Sequence, residues 1–193
     1  MTEHSFALIP FSAPGIPVLS LTGSLTLQNN DLQLHYSLDG EIEKILLPPA
    51  SPHPGRKDEL WRATCFECFL AIKGKPAYWE FNLSPPGDWN VYRMDAYRRV
   101  GFREETAISR MSFVFKKDSG RIGLDASVDL TPIVQSSDEV EIGLTAILQT
   151  IDGDETYWAL AHPAPHADFH LRDSFILALA GQTHPSEQSA LGG

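Results

Sequence analysis

The amino-acid sequence predicts an all-β protein, an antiparallel β-sandwich of the jelly-roll or immunoglobulin-like kind. Three observations lead there. Apolar residues alternate with polar ones at a period of two along most of the chain, while the 3.6-residue period of an amphipathic helix is scarce. The alternating runs are short and are separated at close intervals by Gly, Pro, Asn and Asp, the punctuation of hairpins and sandwich loops. With 193 residues, 42% of them hydrophobic, the chain is long enough for one substantial core and short for two.

The expected strands follow in order. Residues 18–21 and 24–28 come first, then 31–38, whose Leu32, Leu34, Tyr36 and Leu38 fall on one face. A strand over 42–47 leads into a loop over 48–57 that holds Pro48, Pro49, Pro52 and Pro54. Residues 61–72 and 78–83 pair through the turn Lys73-Gly74-Lys75-Pro76, and Ser84-Pro85-Pro86-Gly87-Asp88 turns the chain into 89–94. Strands over 111–116, 121–128, 139–149, 156–161 and 175–180 complete the set. Ile151-Asp152-Gly153-Asp154 reads as a hairpin tip, since Asp-Gly accepts positive φ, and 129–134 as one helical turn capped by Asp129. A single domain over 1–180 is expected, followed by a polar, flexible tail over 181–193.

A net charge of −10 argues against nucleic acid or an anionic membrane as the main partner. No basic, apolar leader opens the chain, and no segment approaches the roughly 18 apolar residues of a membrane span; a cytoplasmic location is the expectation. The two cysteines, Cys65 and Cys68, are three apart in a predicted strand and point to opposite faces, so two buried, reduced thiols are expected.

The run Leu60-Trp61-Arg62-Ala63-Thr64-Cys65-Phe66-Glu67-Cys68-Phe69-Leu70 places a carboxylate in the middle of an aromatic and apolar strand. An unpaired buried charge costs several kcal/mol, so Glu67 needs a cation, hydrogen-bond donors or an opening to a ligand. Alternation puts Trp61 and Glu67 on one face, and a flat indole beside a hydrogen-bonding acid suits a sugar ring. In Tyr78-Trp79-Glu80-Phe81-Asn82-Leu83 the acid Glu80 and the amide Asn82 share a face with Tyr78, opposite Trp79, Phe81 and Leu83. Arg93 is the leading candidate to neutralise Glu67 or Glu80 with a bidentate pair.

His162, His166 and His170 fall in a short loop with Asp168, but the prolines Pro163 and Pro165 interrupt it, and hydrogen bonds that anchor the loop around Asp168 are expected there rather than a metal. Nucleophile-elbow, phosphate-loop and metalloprotease motifs are missing. Glu67 and Glu80 leave glycoside hydrolysis open, because the separation of two acids decides that chemistry; a non-catalytic role is the expectation.

Three of these segments, 60–69, 78–89 and Tyr157-Trp158-Ala159-Leu160-Ala161-His162-Pro163 with Asp168-Phe169-His170, together resemble the DOMON-like proteins related to family 9 carbohydrate-binding modules. The resemblance spans about residues 60–179. It implies an antiparallel sandwich with a ligand site on or beside one sheet, a small carbohydrate as ligand, and tryptophans that clamp a sugar while acids, amides and an arginine bind its hydroxyls. By motif position it implies Trp61 and Glu67 as first aromatic and acid, Trp158 as second aromatic and Arg93 as arginine; the residue pattern itself adds Glu80, Asn82, His162, Asp168 and His170 to the expected ligand site. No cofactor is expected on this reading. The same superfamily leaves two alternatives, a haem-b electron-transfer domain with Met94 or Met111 and one of His162, His166 or His170 as axial ligands, and an interaction module without a ligand.

Overall fold

A computed structural model of the chain describes residues 3–12, 16–98 and 100–180; the expected tail over 181–193 lies outside them. Among the described residues the chain is all-β. Twelve strands are present: β1 (Glu3–Pro10), β2 (Leu19–Gln28), β3 (Asp31–Gly40), β4 (Cys65–Ile72), β5 (Tyr78–Leu83), β6 (Trp89–Met94), β7 (Arg103–Glu104), β8 (Ser112–Asp118), β9 (Arg121–Asp129), β10 (Val140–Gln149), β11 (Glu155–Ala159) and β12 (Leu177–Leu179). They form one curled antiparallel sheet in the order β7-β6-β5-β4-β10-β11-β1-β2-β3-β9-β8, with β12 added to β10. No described helix is long and apolar enough to cross a membrane.

Alternation explains how the sheet curls. Leu32, Leu34, Tyr36 and Leu38 of β3 and Phe66, Cys68 and Leu70 of β4 are all buried in one cluster, so the β2–β3–β9–β8 half and the β6–β5–β4–β10–β11 half face each other over a shared apolar core. Tyr36 stands at the centre of it. Its ring lies 5.3 Å from that of Phe6 and 5.2 Å from that of Phe66, and its hydroxyl donates to the Glu67 carbonyl at 2.7 Å.

β1 is the joint between the halves and was not among the expected strands. Its first six residues pair with β2, from Glu3 opposite Thr26 to Leu8 opposite Leu21, and its last two, Ile9 and Pro10, pair with Ala159 and Trp158 of β11. The predicted runs 18–21 and 24–28 are one strand, because Thr22 and Gly23 continue the ladder to β3. The expected strand over 42–47 is a single 3-10 turn, Ile42–Lys44, followed by an isolated bridge from Ile45 to Thr150. At the expected hairpin tip Gly153 takes φ +92 and donates to the Thr150 carbonyl.

β4 and β5 are buried along nearly their whole length. One face meets the shared core. Over the other lies a smaller cluster in which Phe69, Tyr78, Tyr92 and Met94 meet Phe169 and Phe175 from the segment after β11. That covered outer face carries the candidate site.

Candidate functional site

The floor of the site is set by strand register. Glu67 of β4 lies opposite Asn82 of β5 on one side and Thr145 of β10 on the other, and Glu80 lies opposite Phe69. The two acids are therefore diagonal neighbours on one face, at the ~7–8 Å spacing of such pairs. Thr145 Oγ1 donates to Glu67 Oε2 at 2.9 Å, and Asn82 Nδ2 donates to Glu80 Oε1 at 2.7 Å. Glu67 is 2% and Glu80 5% exposed. Burial pushes both carboxyls up: Glu67 rises well above its ordinary range, first by desolvation and then by the charge of Glu80, and Glu80 rises to about 7 by desolvation, against the Asn82 hydrogen bond that lowers it. Burial and the mutual repulsion of the two acids both favour retention of a proton by the pair.

Loops build the walls. Glu59, at φ 57, turns the chain sharply into a 3-10 turn over Leu60–Arg62, which swings Trp61 over the sheet. The Trp61 ring meets Tyr92 edge-on at 5.3 Å and Phe102 at 6.3 Å, and Phe102 stacks on Tyr92 at 4.9 Å. Arg98, at φ 43, lies in the loop that follows β6. Among the described residues the only other non-glycine positive φ values belong to Asn29 and Asn30 in the β2–β3 turn. Such conformations cost about 1–3 kcal/mol in residues other than Gly and Asn and concentrate at ligand sites, and here both strained residues line the same cleft.

Asp168 ties two walls together. Its Oδ2 accepts from the Tyr97 hydroxyl at 2.5 Å and from Arg98 at 2.9 Å, and its Oδ1 accepts the His170 backbone N–H at 3.1 Å. Burial raises this carboxyl, yet the bonds from Tyr97, Arg98 and His170 outweigh it and hold the group below its usual value. His170 Nδ1 lies 2.9 Å from the Tyr78 hydroxyl, and its Nε2 lies 4.0 Å from Glu80 Oε2. The result is a cleft of about 410 Å³ lined by Trp61, Glu67, Glu80, Arg98, Asp168 and His170, with Phe102 and Tyr157 on its sides. A second cavity of about 450 Å³, lined by Pro48, Pro85, Trp89 and Phe113 among others, presents no ionisable side chain.

Of the residues expected from the sequence, Trp61, Glu67, Glu80, Asp168 and His170 meet in this cleft, and Asn82 supports it from beneath through Glu80. Trp61 arrives by the turn rather than by strand alternation. Arg93 and Trp158 are moved away. Arg93 pairs with Trp79, one residue out of phase with Glu80, so it sits on the opposite face of β6, 5.5 Å from the Trp79 ring and 3.4 Å from Asp95. Glu67 thus has Thr145 where Arg93 was expected. Trp158 belongs to the shared core and donates to Thr156 Oγ1 at 3.0 Å. His162 faces the Ile9 carbonyl at 3.0 Å and the rings of Phe11 and Phe169. Met94 is packed in the outer cluster, while Met111 lines the apolar cavity.

Arg98, Phe102 and Tyr157 escaped the sequence reading. Tyr157 carried a usable signal, since alternation puts it on the face opposite Trp158, but choosing between them requires the β10–β11 register that sets Tyr157 against Ile147. Arg98 and Phe102 come from an aperiodic loop and left no such trace. Among the described residues no group of three or more His, Cys, Asp and Glu could hold a metal ion. Chemically, the cleft can pack a flat apolar ring face on Trp61 and direct hydrogen bonds from two acids and a histidine.

No protein-family model matches the chain, and no curated protein matches it. Solved structures do. A Bacteroides uniformis protein provisionally named as carbohydrate-binding superposes with a TM-score of 0.68 at 14% identity, over 89% of this chain and 83% of that one. A family 9 carbohydrate-binding module from Caldicellulosiruptor kristjanssonii in complex with cellotriose gives a TM-score of 0.51 at 10% identity, over 80% and 71%. A family 9 module from the same organism in complex with glucose gives 0.50 at 9%, over 75% and 69%. At these identities the likeness is one of fold.

Proposed function

We propose that the protein is a non-catalytic carbohydrate-binding β-sandwich, DOMON-like and related to the family 9 modules, whose outer-face cleft holds a small sugar. The observation that carries this reading is the joining, in one cleft of about 410 Å³, of the Trp61 indole with two buried acids on the sheet floor. Its volume falls within the ~300–1,000 Å³ of small-molecule sites, which suits a mono- or disaccharide better than a polymer chain. The fold neighbours that carry cellotriose and glucose support the ligand class. Trp61 supplies the stacking face, Glu67 and Glu80 accept sugar hydroxyls, and Asp168 with Arg98 and Tyr97 holds the rim.

The test is calorimetry of the purified protein against a panel of mono- and disaccharides, repeated with Trp61→Ala. One aromatic contact of this kind is worth ~0.5–2 kcal/mol, so the variant should bind about twofold to thirtyfold more weakly. No binding across the panel, or binding that Trp61→Ala leaves intact, sinks the proposal.

A further inference from the structure

Among the described residues the floor of the cleft lacks a permanent counter-ion. Among the described residues no lysine or arginine lies within ion-pair reach of Glu67 or Glu80, although each is more than nine-tenths buried and lines the cleft. Glu67 is satisfied through Oε2 by a neutral hydroxyl and Glu80 through Oε1 by a neutral amide. Among the described residues the second oxygen of each carboxyl has no hydrogen bond, and the basic group in ion-pair reach of Glu80 is His170, with Nε2 at 4.0 Å. Arg98 is committed to Asp168 and to Tyr97. Asp58 and Glu59 add acids at the mouth, where Asp58 accepts from the Tyr92 hydroxyl and Glu59 pairs with Arg62.

A buried carboxylate pair without a cation is costly, and a ligand that brings the missing positive charge relieves the cost when it binds. We propose that the cleft selects a sugar that carries a protonated amine, with the ammonium seated between Glu67 and Glu80 and the sugar ring against Trp61. The inference rests on the carbohydrate reading and adds to it the charge class of the ligand.

Three probes differ at one position only: glucosamine, glucose and N-acetylglucosamine. Calorimetry of the full chain at pH 7 should give glucosamine an affinity at least tenfold above both neutral sugars. Its binding enthalpy should also vary with the ionisation enthalpy of the buffer, because seating the ammonium displaces the proton that the acid pair retains. In Glu80→Gln the ratio of glucosamine to glucose affinity should fall towards one. Equal affinities for the three sugars in the unaltered protein overturn this inference and leave the carbohydrate reading in place. Failure of all three to bind overturns this inference, and the carbohydrate reading falls with it when the wider panel of mono- and disaccharides also fails to bind.

Discussion

At the scale of single residues, the acid pair makes stability depend on pH in an unusual direction. Glu80 titrates at about 7 in the folded chain against an ordinary 4.5, so between those values the folded state holds a proton that the unfolded state has released. The stabilising contribution is fully present below 4.5 and is lost as pH rises through about 7. Glu80→Gln removes the titration. Urea denaturation should therefore show the variant about 1–3 kcal/mol more stable than the parent at pH 8, with the gap closing towards pH 5. A parallel pH dependence in both proteins would count against a buried, coupled acid. Glu67→Gln should follow the same trend, because Thr145 rather than an arginine is its partner and no cation is stranded. Asp168 behaves in the opposite sense. Asp168→Ala leaves Arg98 unpaired at a half-exposed position, where screening keeps the cost low, about 1 kcal/mol, and unties the loop segments at 95–98 and 162–170. Hydrogen exchange should rise in those two loops and not in β4 or β5, and sugar binding should weaken.

At the scale of elements, what could be read from the sequence depended on how local each signal is. The alternation of β3 and β5 is complete within the strand, and both were placed to within two residues. β1 was missed, because its burial pattern has only Phe6 and Leu8 inside and its place as the joint depends on partners far along the chain. Trp61 and Arg62 belong to the strand expected over 61–72 because Trp61 and Glu67 fit a period of two, but they lie in the 3-10 turn Leu60–Arg62, and the positive φ of Glu59 that sets this turn leaves no mark on residue type. Packing between strands gives a sharp prediction. A Cβ on Gly23 of β2 would stand 2.0 Å from the His35 carbonyl oxygen and 2.4 Å from the Phe6 ring. Gly23→Ala must push β2 away from β3 and β1, and should cost about 1–3 kcal/mol. Gly123 of β9 has nothing within 4 Å of the same position, so Gly123→Ala should change stability by less than about 0.5 kcal/mol. Thermal melts of the two variants side by side check the packing; equal effects would mean that β1, β2 and β3 are spaced more loosely than described.

At the scale of the molecule, the site and the core are two faces of the same strands. Phe66 and Cys68 face inward from β4 while Glu67 and Phe69 face outward, so the shared core fixes the height and register of the acids in the cleft. This inward and outward division is legible in the sequence, since it follows from alternation alone, but which loops cover the outer face is not, since that follows from the path of the whole chain. Tyr36 connects the two halves at the level of the site: it is fully buried, and its hydroxyl bonds the carbonyl of Glu67 itself. Burial pushes this phenol well above its ordinary pKa, so it is a neutral donor in the neutral pH range. Because both halves contribute to one core and are joined through β1, they should unfold together. Tyr36→Phe keeps the ring and removes the bond, which should lower stability by about 1–2 kcal/mol and leave one transition. Tryptophan fluorescence reports on the half that holds Trp61, Trp79, Trp89 and Trp158, and far-ultraviolet circular dichroism reports on the strands of both. Coincident urea transitions by the two probes, in the parent and in Tyr36→Phe, are the expected result. A fluorescence transition that precedes the circular dichroism transition would show that the half bearing the cleft opens alone, and that the shared core does not hold the acid pair in register.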